Sequence, residues 1–179
     1  LPTEPIPRPE PGAFLTLVQE APMRLTSNSF NDGGSIPAKH AMKAIPGGAN
    51  VSPHIKISDV PPGSVSLAII FVDRHPMARN WVHWLVTGLA AKDTEIAEGS
   101  SMNRMPTGCL ELANTFGFSG YGGPQPPRGS GVHRYELAAY ALSANPDTGT
   151  GELSEKAFLA LIENKVLAKS AITGGFENS

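Results

Sequence analysis

Three polar side chains are set in or at the ends of strongly apolar runs. Asp73 follows VSLAIIFV (65–72), His83 lies inside WVHWLVT (81–87), and His133 opens HRYELAAYAL (133–142). A histidine flanked by Trp81, Trp84 and Leu85 is costly to bury without hydrogen bonds, so it needs a protein acceptor or a ligand. Taken alone, either histidine reads as a core residue bonded to a backbone carbonyl. The stretch Gly117 to Tyr135, GFSGYGGPQPPRGSGVHRY, tips the reading toward a ligand, because nine of its 19 residues are Gly or Pro. Glycine permits close approach of backbone to a guest, whereas Pro124, Pro126 and Pro127 fix φ and remove N–H groups that would join a sheet. Such a loop, closed by His133 and Tyr135, is stiff enough to hold polar groups around something small.

Other chemistries have weaker support. Asp73, His83 and His133 are the types of a two-histidine, one-carboxylate metal site, but no compact ligand spacing accompanies them, and no metal or other cofactor is expected. Gly117-Phe118-Ser119-Gly120 is close to a hydrolase nucleophile turn. It fails the Gly-x-Ser-x-Gly spacing because Tyr121 occupies the last position.

The elements that must position these residues are mostly strands. Phe14–Val18, Met23–Thr26, Ser52–Ile57, Val65–Val72, Trp81–Thr87 and His133–Leu142 are β-prone runs separated by Gly/Pro turns. Strict alternation places Trp81, His83, Leu85 and Thr87 on one face of their strand and Val82, Trp84 and Val86 on the other. One helix is expected after Ser154, with Leu153 and Phe158 as a hydrophobic staple. Val166 to Phe176 reads as a terminal strand broken by Gly174-Gly175. The pattern predicts a mainly β, two-sheet antiparallel Greek-key sandwich with one or two short peripheral helices. Five prolines within residues 1–11 mark 1–12 as an extended arm, leaving 13–179 as a single domain.

Bulk properties remove several function classes. Fourteen Lys+Arg against 16 Asp+Glu give a formal charge of -2, so no global field favours nucleic acid. Cys109 is the only cysteine, which excludes an intramolecular disulfide and a Cys-based zinc site. No apolar run approaches the ~20 residues of an integral membrane segment. These features suggest a soluble chain, with a slight tilt toward the cytoplasm, although a start at Leu1 leaves a removed leader open.

The motifs together are recognisable. Asn50-Val51-Ser52-Pro53-His54, the strand into Asp73, Trp81 to Val86, and Gly120 through Pro126-Pro127 to His133-Arg134-Tyr135 resemble the phosphatidylethanolamine-binding, or Raf-kinase-inhibitor-like, family and its small prokaryotic subgroup. The resemblance spans about residues 24–142. It implies a Greek-key β-fold with a small anion pocket made by Asp73, Pro76, His83, Gly123, Pro124, His133 and Tyr135, with Tyr121 at the rim. It also implies a non-enzymatic binding protein for phosphate or phosphorylated head groups such as phosphoethanolamine, with a regulatory role or, alternatively, protease or kinase inhibition through its outer surface. Homodimerisation is a further analogy. One departure is visible: the family's Asp-Pro-Asp-x-Pro is Asp73-Arg74-His75-Pro76 here, and Arg74 and His75 either face the pocket as positive charge or form an exposed turn.

Overall fold

A computed structural model describes residues 22–149 and 151–179. The proline arm and the Phe14–Val18 strand lie outside them. Among the described residues, nine strands form two sheets: β1 (Arg24–Thr26), β2 (Gly34–Ser35), β3 (Ile55–Ser58), β4 (Ser66–Asp73), β5 (Trp81–Ala90), β6 (Thr94–Ile96), β7 (Leu110–Glu111), β8 (His133–Leu142) and β9 (Val166–Phe176). The smaller sheet has the order β1-β3-β6 and the larger β2-β9-β8-β4-β5-β7. Every pairing is antiparallel except β2 with β9, which makes the larger sheet mixed at one edge. Helix α1 (Glu155–Ile162) begins as expected, with Ser154 Oγ accepting from Ala157 N–H. Two short 3-10 turns, Ala38–His40 and Pro76–Ala78, complete the helical content among the described residues.

β4 explains its own composition. All eight of its residues are buried, because both faces of the larger sheet are covered. Leu67, Ile69 and Phe71 pack with Leu25, Ile55, Ile57 and Ile96 between the sheets. Ala68, Ile70 and Val72 pack on the opposite face with Phe158 and Ile162 of α1. A strand buried on both sides has no polar face to display, hence the unbroken apolar run.

Two expectations about strands are overturned. Gly174-Gly175 does not break β9, which runs without interruption to Phe176. The glycine is there for room: a Cβ at Gly174 would lie 2.6 Å from Ile36 Cγ1, where β2 crosses close to β9. The alternation along β5 also fails. Phe71 pairs with Trp84 but Val72 pairs with Val82, so His83 is an extra residue in the ladder, a β-bulge. A second irregularity lies between Leu67 and Ile69, opposite Gly88 with φ +71°. In consequence Trp84 and Val86 face the intersheet core while Val82 joins Leu85 on the helix face.

Arg74 fixes α1 to the sheet. Its guanidinium donates to Glu155 Oε2 at 2.6 Å and Oε1 at 2.5 Å, and to Glu136 Oε1 at 2.9 Å. These carboxylates raise the arginine's pKa well above its usual value. Glu155 is only 6% exposed, so it depends on this partner. Arg74→Ala is expected to cost about 2–4 kcal/mol in denaturant unfolding, because it strands a buried carboxylate. Adding Glu155→Ala should restore part of that loss; equal instability of the single and double variants would show that the pair is not coupled.

Candidate functional site

The strand register brings the three polar residues to one end of the sheet. Asp73 is the last residue of β4 and pairs with Tyr135 of β8 on one side and Trp81 of β5 on the other. It follows Leu67, Ile69 and Phe71 at steps of two, so its side chain belongs to the intersheet face. His133 precedes Tyr135 by two residues and shares its face, as alternation predicts. His83 reaches the same side because of the bulge: its ring lies 5.8 Å from Phe71 and 5.2 Å from Tyr135 between centroids. Without the extra residue, the alternation set by Trp84 would turn His83 toward the helix face.

His83 has one nitrogen held by the protein, and His133 has both. His83 Nδ1–H donates to Gly122 O at 2.6 Å, and Gly122 N–H donates back to His83 O at 2.8 Å. Burial pushes the His83 pKa down to about 4, so the ring is neutral and its Nε2 carries a lone pair. His133 Nδ1 lies 2.7 Å from Asp73 Oδ2, while Asp73 Oδ1 accepts from His75 N–H at 2.8 Å. His133 Nε2 is 3.0 Å from Ser130 Oγ. Asp73, His83 and His133 are 4%, 3% and 2% exposed.

These three residues line a cleft of about 250 Å³. Trp81 and Phe116 form an aromatic wall, packed edge to face at 5.2 Å, with Met77 and Ala78 beside them. Gln125, Pro126 and Pro127 form the facing wall. Among the described residues, no lysine or arginine lines this cleft. Among the described residues, two polar atoms around it are buried with no hydrogen-bond partner, Trp81 Nε1 in the wall and Tyr135 Oη beside the histidines. Burial and the Asp73 carboxylate both raise the Tyr135 phenol, keeping it a donor. Unsatisfied buried donors are uncommon in cores and recur at binding sites.

Several residues expected in the pocket stand elsewhere. Pro76 starts the 3-10 turn on the exposed surface, and its neighbours Met77 and Ala78 take the lining positions. Tyr121 is a core residue, 4% exposed, stacked on Phe71 and donating its hydroxyl to His40 O at 2.9 Å. Gly123 and Pro124 back the wall. Gly123 N–H donates to Asn50 Oδ1, a Cβ on it would lie 2.0 Å from His40 O, and Pro124 O accepts from Met42 N–H. Tyr135 packs behind the histidines, fully buried and outside the lining. Arg74 is taken by the acids described above. His75 stacks on His133 with centroids 3.9 Å apart. Ser119 lines a different cleft with Tyr121 and Ser101. Met77, Phe116 and Gln125 were not read as site residues from sequence. Only the aromatic residues beside a strand histidine gave a signal for this wall.

Comparison with known proteins agrees with this architecture. The profile of the phosphatidylethanolamine-binding protein family matches residues 26–177. YbhB of Escherichia coli strain K12 is 35% identical over 163 residues, which cover 86% of this chain and 99% of YbhB. The crystal structure of E. coli YbcL, described as a member of the mammalian PEBP family, superposes with a TM-score of 0.80 at 27% identity, covering 89% of this chain and all of YbcL. A homologue of the same family from Chlamydia trachomatis superposes with a TM-score of 0.74 at 31% identity, covering 88% of this chain and 99% of that one. A family profile spanning most of the chain, joined to whole-length structural likeness, shows that this chain belongs to the phosphatidylethanolamine-binding protein family.

Proposed function

We propose that the protein binds a small phosphorylated anion, phosphate itself or a head group such as phosphoethanolamine, in the cleft between Asp73, His83 and His133. The carrying observation is that His83 and His133 each have Nδ1 engaged by a protein acceptor while both rings line one small cleft. Family membership supports ligand binding in general. The aromatic wall of Trp81 and Phe116 suits the carbon and ammonium part of a head group, since a ligand cation is attracted to such ring faces. Its role is to hold the ligand.

Binding is expected to be linked to protons. Neutral His83 presents a lone pair, which repels an oxygen that carries no hydrogen. A phosphate therefore enters with an O–H that donates to Nε2, or it draws a proton onto the ring. Tyr135, a neutral phenol, packs beside His83, and Asp73 and His133 act on it through charge: the carboxylate favours the charged ring and a charged His133 opposes it. A bound anion raises the His83 pKa from about 4, so affinity rises as pH falls through the bound value. With one proton taken up per anion, calorimetric affinity for phosphoethanolamine should rise up to about tenfold per pH unit on going from about pH 8 to 6. A flat profile would exclude the linkage. Replacing the second imidazole, His133→Ala, should weaken phosphoethanolamine binding by about tenfold or more. Unchanged affinity in that titration would remove His133 from the site.

A further inference from the structure

From Asp73 and His133, which line the cleft, a continuous relay runs to Ser130 on the adjoining loop. Asp73 Oδ2 lies 2.7 Å from His133 Nδ1, and His133 Nε2 lies 3.0 Å from Ser130 Oγ. These are the atom pairings by which a carboxylate fixes the tautomer of an imidazole and the imidazole takes up a hydroxyl proton. We propose that Ser130 is a nucleophile, and that the protein transfers short acyl groups from activated carboxylic esters to water through Ser130, His133 and Asp73.

Three further observations support the assignment. Asp73 and His133 are almost wholly buried, whereas Ser130 is half-buried on a loop, so the base is shielded and the hydroxyl can be reached. Ser130 stands between Gly129 and Gly131, with φ of +78° and +83°, a sharp turn that holds its hydroxyl over His133. The N–H of Gly131, immediately after the serine, makes no internal hydrogen bond among the described residues, which leaves it free for a developing oxyanion. The hydroxyl proton is donated at rest to Pro127 O at 2.7 Å. Rotation about the Cβ–Oγ bond turns that proton toward His133 Nε2, so the resting bond is an alternative to the reactive one. Pro127 and His133 both line the cleft, whose Trp81 and Phe116 wall suits a small acyl or aryl group.

The chemistry balances without a co-reactant beyond water. Ser130 Oγ bonds to the ester carbonyl carbon as its proton passes to His133 Nε2, and the imidazolium forms against Asp73. The bond from that carbon to the alcohol oxygen breaks, and the alcohol leaves with the proton from Nε2. Water then attacks the acyl-serine, giving one proton to His133. Ser130 departs with that proton, and the carboxylic acid is released. This activity goes beyond binding and runs against the non-enzymatic expectation drawn from family resemblance.

The test uses the full chain with p-nitrophenyl acetate and, separately, a fluorophosphonate probe located by peptide mass spectrometry. Turnover and a single probe adduct on Ser130 are expected. Ser130→Ala, checked for folding by its thermal transition, should lose at least about 100-fold in kcat/KM. Asp73→Asn should slow probe labelling of Ser130. An adduct elsewhere, no adduct, or turnover preserved in Ser130→Ala would overturn the proposal. Wild-type labelling decides it even if the alanine variant fails to fold. Phosphoethanolamine titration of the same wild-type sample reports the binding role independently, so the two readings fail separately.

Discussion

The extra residue in the β4–β5 ladder is the constraint on which the cleft depends. β4, β5 and β8 bring their ends together through ordinary antiparallel pairing, and Asp73 and His133 then share a face by simple alternation. His83 would face the helix layer instead. The bulge reverses its direction, and Gly122 holds the reversal through reciprocal hydrogen bonds to its ring and its carbonyl. Bulges beside functional sites commonly re-aim a side chain in this way. Gly122 itself is placed by a chain of contacts from Gly123 to Asn50 and from Tyr121 to His40, so distant loops set one imidazole.

The electrostatics of the cleft differ from those of a site that collects anions by positive charge. Arg74, next in sequence to Asp73, is committed to Glu155 and Glu136, and His83 is kept neutral by burial. For the anion proposed above, discrimination would rest on hydrogen-bond polarity: which nitrogens carry hydrogens and which offer lone pairs. Such a site responds to the protonation of its ligand as much as to ligand charge. The Asp73 carboxylate, receiving both His75 N–H and His133, sets the orientation of one of the two rings.

Much of this was legible in the sequence. The apolar run of β4, the histidine strand, the capped helix and the Gly/Pro loop each carry local signals that agree with the fold. The order of those motifs also identified the family. What could not be read was anything set by register. Strict alternation groups His83 with Leu85 and apart from Trp84, because composition does not encode an inserted residue in a ladder. Gly174 looked like a break because its need for space arises from Ile36, far away in sequence. Tyr121, Gly123 and Pro124 carry motif positions but act one layer behind the cleft, supporting the residues that line it. Pro76 was displaced by the altered first motif, in which a 3-10 turn capped by His75 turns the proline outward.

The proline wall is clasped from beyond the last strand: Asn178 Nδ2 donates to Pro126 O at 3.0 Å, and Gly129 N–H donates to Asn178 O at 3.2 Å. During synthesis, the β4–β5 hairpin can pair long before residue 178 has left the ribosome, and β8 can join it soon after. The wall opposite the histidines acquires its final anchor only when that late asparagine arrives. The last core strand, β9, ends at Phe176, so the core is completed and the proline wall is clasped within the same few residues, and the shape of the cleft is tied to the seating of β9.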